Sequence, residues 1–117
     1  LNNETKATAV IGQAEAVFLP IIAIGELYLG AENSSRVTEN VSKVDQLVTK
    51  YPVLLCDLVT TREYALIDVQ LRRKGQPVPQ NDMWIAAIAS QHSLTVLARD
   101  KHFTTVATVT GLPIMEW

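Results

Sequence analysis

Between Ala16 and Ile22 the chain carries no polar side chain. A strand with one wet face alternates apolar and polar residues, so an unbroken apolar run reads as a strand covered on both faces, the habit of parallel sheets. The following segments keep the same rhythm. A helix is predicted from about Ala23 to Ala31, with Glu26 in its first turns. Another spans Ser35 to Lys50, where Val37, Val41, Val44 and Val48 share one face. "PVLLCDL" reads as a second short buried strand. Thr60-Thr61-Arg62-Glu63 has the S/T-x-x-E form of a capping box with Thr60 as N-cap. The helix it opens carries Tyr64, Ile67 and Leu71 on one face and ends at Arg72-Arg73-Lys74-Gly75, cations suiting the negative end and Gly75 a left-handed cap. Pro77 and Pro79 keep the next segment extended. "NDMWIAAIASQH" is a further helix with Asn81 as N-cap and Asp82 in its first turn. "LTVLA" and "LPIM" are the last strands. Upstream, residues 1–15 are polar and alanine-rich, with a short helix near Lys6 to Gln13. This alternation predicts an α/β fold with a parallel sheet and right-handed crossovers.

A chain of 117 residues forms one domain around a single core. Its formal charge of -2 gives no electrostatic case for membrane or duplex DNA binding. A nucleic acid remains open, because metal ions and a local Arg/Lys cluster can supply positive field. Cys56 is the single cysteine, which excludes a disulfide framework and a cysteine zinc site and suits a reducing cytosol. The longest apolar run, Ala16 to Gly25, is too short for a membrane span and holds Pro20. No signal peptide is visible, and the start at Leu1 reads as a fragment or a processed product.

Three carboxylates stand at equivalent places in this layout. Glu26 follows the first strand among Ile21, Ile22, Ile24, Leu27 and Leu29, Asp82 opens a helix, and Asp100 follows "LTVLAR". Burying an unpaired carboxylate costs several kcal/mol, so Glu26 calls for a compensating partner. In open parallel sheets the carboxyl ends of the strands form the ligand edge, where these distant acids would converge. At about 6 Å and an effective dielectric near 20, each pair repels by roughly 3 kcal/mol. A divalent cation or proton uptake relieves such strain. Hard oxygen ligands without Cys or a His pair point to Mg²⁺ or Mn²⁺.

Each acid also has a plainer reading. A carboxylate early in a helix complements the dipole, which suits Asp82, and Asp100 in "RDKHF" can be a turn residue with its own salt bridge. Arg72, Arg73 and Lys74 either clamp phosphates or cap their helix. Arg99 and Lys101 steer substrate or neutralise the acids beside them. His102 is a general base or, more commonly, a packing or hydrogen-bonding residue, and His92 a helix cap. Trp84 and Tyr28 stack on bases or pack in a core or dimer interface. Asn81 caps its helix while orienting Asp82.

"LPIIAIGELYLGA", "RRKGQPVPQNDMWIAAIASQHSLTVLARDKHF" and "LPIMEW" together resemble the PIN-domain ribonucleases, and most closely the VapC-like toxins of bacterial toxin–antitoxin modules. The resemblance runs from Leu1 to Trp117, a single PIN-like domain. It implies a three-layer sandwich with a central parallel sheet flanked by helices. It also implies that Glu26, Asp82 and Asp100 belong to an acidic Mg²⁺ or Mn²⁺ site that hydrolyses RNA. Arg72, Arg73 and Arg99 would then contact substrate, a tRNA being one candidate. A cognate antitoxin, a homodimer and a cytoplasmic location complete what the likeness implies. Members of that family begin with an apolar strand ending in an Asp-Thr-Asn motif that supplies a principal metal ligand, and no such motif occurs here. Leu1-Asn2-Asn3 resembles the end of the helix after that strand, so the domain reads as N-terminally incomplete, lacking the usual first strand. Without that central strand two neighbours lose their shared partner. The chain is therefore expected either to fold with a compensating rearrangement or to be part of a longer polypeptide. Ser93 stands where relatives often have glycine.

The leading hypothesis is a metal-dependent endoribonuclease of the toxin type. The alternative is a catalytically impaired PIN-like module acting through antitoxin binding or self-association. A phosphoacceptor receiver domain is disfavoured because no acidic pair follows a first strand.

Overall fold

The computed structural model describes residues 16–98 and 101–116, so the helix expected near Lys6 to Gln13 lies outside the described residues. The elements run β1 (Leu19–Pro20), α1 (Ile21–Glu32), α2 (Val37–Lys50), β2 (Val53–Leu54), α3 (Leu58–Arg73), α4 (Gln80–Gln91), β3 (Val96–Ala98), α5 (Lys101–Thr110) and β4 (Ile114–Glu116). The expected α/β class and parallel strands are observed. β1 pairs with β2 and β3 with β4, both parallel, and among the described residues no strand joins one pair to the other. The described residues form two compact units, Ala16–Leu55 and the stretch from Cys56 onward.

In the first unit the run expected to be a strand from Ala16 to Ile22 narrows to Leu19 and Pro20, in register with Val53 and Leu54. Pro20 is the reason. It has no N–H to continue a ladder, and its extended backbone (φ -70°, ψ 137°) instead starts α1 at Ile21. β1 and β2 are half-buried rather than covered on both faces. α2 follows its valine spacing in part: Val44 is buried, Val41 and Val48 are half-buried, Val37 at the helix start is exposed, and the opposite face carries the Glu39 ion pairs with Arg36 and Lys43. Tyr28 Oη donates to Asp45 Oδ1 at 2.5 Å, tying α1 to α2. That bond places Tyr28 in intramolecular packing, and Asp45 holds its phenol above the usual range.

In the second unit α3 starts a turn earlier than expected. Asp57, not Thr60, is the N-cap: Thr60 N–H donates to Asp57 Oδ1 at 3.2 Å, and Asp57 N–H donates to Thr60 Oγ1 at 2.9 Å. A carboxylate outcompetes a hydroxyl for the orphan N–H groups of a helix start, so the reciprocal box forms at the first opportunity along the chain. This also ends "PVLLCDL" as a strand at Leu54. The C-terminus follows expectation. Gly75 adopts φ 63°, its N–H reaches Arg72 O, and Gln76 N–H reaches Leu71 O at 2.9 Å, a Schellman closure. α4 begins at Gln80 with Pro79 as N-cap, ahead of the Asn81 cap expected from sequence. Pro79 is extended (φ -53°, ψ 142°) and its carbonyl accepts from Asp82 and Met83 N–H, so Asn81 already lies inside the helix.

The core of this unit joins Ile67 and Leu71 of α3 to Ala86 and Ala87 of α4, β3, and Phe103 and Val106 of α5. Ala86, Ala87 and Val106 are wholly buried. Alanines at the α4 contact let the helix backbones approach closely, and burial of a side chain such as Leu71 contributes about 1.5–3 kcal/mol. α4 closes on Ser93, which takes the left-handed φ of 54° that glycine would occupy without strain.

Candidate functional site

Asp82 is the third residue of α4, where the positive end of the helix favours a carboxylate. The third helical residue of a capping box normally reaches back to the backbone N–H of the N-cap. Here the N-cap is Pro79, which has no N–H, so the Asp82 carboxylate is not drawn into capping. It meets His102 of α5 instead, with Nδ1 2.8 Å from Oδ2. The Asp82 side chain is 14% exposed and that of His102 44%, so the carboxylate is the more sheltered member of the pair. One oxygen is held by an imidazole, and the other has no hydrogen bond among the described residues. A hard carboxylate oriented in this way has the form of a Mg²⁺ or Mn²⁺ ligand. His102, which the sequence offers as a general base or as a packing or hydrogen-bonding residue, bonds Asp82 here.

Glu26 sits in the first unit on α1 and is exposed. The expectation that its apolar neighbours bury it is corrected. Ile24 and Ala31 mark the buried face of α1, and two residues beyond Ile24 is about 200° around the helix. Leu27 and Leu29 are themselves 45% and 63% exposed. Glu26 therefore bears no burial penalty, and that argument for a compensating cation falls away. Asp100 and Arg99 lie outside the described residues. Among the described residues no three of His, Cys, Asp and Glu gather in a group able to hold a metal ion.

Of the arginines proposed for substrate, Arg72 pairs with Asp68 one turn back, Nε to Oδ2 at 3.0 Å, and that hydrogen bond raises its pKa further. Arg73 is exposed. Trp84 stacks on Tyr64 with centroids 4.0 Å apart and planes at 16°, which places its ring in intramolecular packing. His92 occupies the C-cap position of α4 through its backbone. Glu63, expected to complete a capping box, accepts from Ser90 Oγ at 2.9 Å and so links α3 to α4. No described helix is long and apolar enough to cross a membrane.

The PIN domain family matches residues 2–109. The ribonuclease VapC4 of Mycobacterium tuberculosis is 29% identical over 96 residues, covering 80% of this chain and 74% of the relative. The tRNA(fMet)-specific endonuclease VapC of Salmonella typhimurium is 30% identical over 97 residues, covering 82% and 71%. Among solved structures, VapBC2 of Rickettsia felis bound to a promoter DNA fragment aligns over 100% of this chain and 86% of its own with a TM-score of 0.84 at 19% identity, a likeness of fold. DNA-bound VapBC of Salmonella typhimurium aligns over 86% of this chain and 74% of its own, with a TM-score of 0.78 at 28% identity. With a family match spanning nearly its whole length and a VapC-type pattern of helices and parallel strands, the chain belongs to the PIN-domain family.

Proposed function

We propose that this protein is a metal-dependent endoribonuclease, the toxin component of a toxin–antitoxin pair, in which the family likeness assigns Mg²⁺ or Mn²⁺ binding to Glu26, Asp82 and Asp100. The observation that carries the proposal is the kinship with VapC ribonucleases over four-fifths of the chain. The presentation of Asp82 beyond Pro79 supports it from the structure. A bound divalent cation would polarise the scissile phosphodiester and ease deprotonation of the attacking water. Asp82 would offer one oxygen to such a cation, its other oxygen being bonded to His102 of α5. Arg73, and Arg72 with Asp68 as its counter-charge, form a cationic end of α3 suited to phosphates. A tRNA is the substrate class favoured by the Salmonella relative.

A protein partner belongs to the same reading. On α3, Leu58, Leu66 and Val69 are 81%, 56% and 42% exposed on the face opposite Thr60, Ile67 and Leu71. An apolar stripe of this kind suits a cognate antitoxin or a second copy in a homodimer. A cytoplasmic location accords with this reading. The test is cleavage of a tRNA-like stem-loop: the activity is lost on adding EDTA and restored by excess Mg²⁺ or Mn²⁺. Cleavage that persists unchanged in EDTA contradicts it, and a chain that binds antitoxin yet cleaves nothing in either metal favours the impaired module.

A further inference from the structure

Resting on the reading of Asp82 as a metal ligand, we propose that His102 is a positioning residue that fixes one oxygen of Asp82 and so presents the other to the cation. Three observations carry this. The Pro79 N-cap removes the backbone donor that an acid at this helical position ordinarily uses, leaving the carboxylate without a local anchor. The anchor it finds is on a different helix, twenty residues away, at 2.8 Å. The pair also joins the first turns of two helices that share a buried core, with Met83 and Ala86 beside Asp82 on α4 and Phe103 and Val106 beside His102 on α5, so the backbones that carry the two groups are held firmly.

The chemistry follows from the geometry. A carboxylate at a helix start turns about its terminal bond and offers either oxygen, or both, to solvent. A ring N–H on Oδ2 removes that freedom before any ion arrives, so less ordering is left for binding itself. Donation through Nδ1 also fixes which ring nitrogen carries the proton. The role belongs to Nδ1 alone, which makes it separable from bulk and from charge. Asparagine places its amide nitrogen close to the position of Nδ1, whereas glutamine places it near Nε2.

The experiment titrates the full chain with Mn²⁺ alone, by calorimetry, for the native protein, His102→Ala, His102→Gln, His102→Asn and Asp82→Asn. Affinity is expected to fall about 10- to 100-fold in the alanine and glutamine variants, as for other outer partners of ligands, while asparagine stays within a few-fold of native. Asp82→Asn should bind more weakly than any of them. If Asp82→Asn weakens Mn²⁺ while all three His102 variants bind as the native chain does, the positioning role is overturned and the ligand reading survives. If Asp82→Asn leaves binding unchanged, both fall together. An independent readout needs no metal: long-range ¹⁵N–¹H spectra should show His102 protonated at Nδ1 in the native chain and shifted to the ordinary Nε2 tautomer in Asp82→Ala, with His92 as internal reference. A His102 tautomer indifferent to Asp82 overturns the proposal even if the alanine variant fails to fold.

Discussion

Thr60 is wholly buried, the only buried polar side chain among the described residues, and its hydroxyl does three things at once. It accepts from Asp57 N–H at 2.9 Å, contacts Asp57 Oδ1 at 3.3 Å, and bonds Gln91 Oε1 at the far end of α4. Gln91 Nε2 closes the ring by donating to Asp57 Oδ1 at 2.8 Å. Thr60→Val keeps the shape and deletes the hydroxyl. Each lost bond is worth about 0.5–1.5 kcal/mol, and since Gln91 is only half-buried and Asp57 exposed, water replaces part of what they lose. The substitution should therefore destabilise by about 1–2 kcal/mol, read as a lower urea midpoint at constant slope. Thr60→Ser is the control, since it deletes a methyl worth about 0.8 kcal/mol but retains the ring of bonds. A double-mutant cycle of Thr60→Val with Gln91→Ala should then give a coupling of about 0.5–1.5 kcal/mol, whereas Thr60→Ser with Gln91→Ala should be nearly additive, because serine keeps the bond to Gln91. Strict additivity in the valine cycle would refute the reasoning, because the two side chains would then not depend on each other.

Ser93→Gly should stabilise the chain by about 0.5–1 kcal/mol, since Ser93 sits at φ 54° and glycine relieves that strain at some entropic cost; a lower melting temperature would count against it. The Thr60 backbone N–H, with Gln91 and the Thr60 hydroxyl, holds Asp57 below the usual carboxylate range. A depressed carboxyl stabilises above its unfolded value and loses that contribution as pH falls through the folded one. The stability gap between the native chain and Asp57→Asn should thus close as pH drops below about 4, and a gap independent of pH contradicts the cap's charge.

Much of the fold was legible because periodicity and punctuation are local. The valine face of α2, the Gly75 closure and the parallel strands all follow from spacing. The failures were local too, and each has a physical cause. Asp57 was hidden as a cap because its apolar neighbours suggested a continuing strand, yet a carboxylate three residues before a threonine is the stronger helix start. Pro20 sits inside an apolar run that reads as one strand, yet it lacks the donor that a strand needs. Glu26 has apolar neighbours in sequence, but a helix sorts neighbours by angle and turns Glu26 away from Ile24. The meeting of Asp82 with His102 required two helices to pack, which no pattern within either one discloses.

The central claim is that Asp82 serves chemistry rather than the helix that carries it. Its most direct test is the RNA cleavage rate of Asp82→Asn against the native chain in Mn²⁺, with urea midpoints measured alongside. The account predicts a midpoint nearly unchanged and a rate reduced by more than about 100-fold, beyond what losing an outer partner costs. A variant that cleaves at close to the native rate would contradict it.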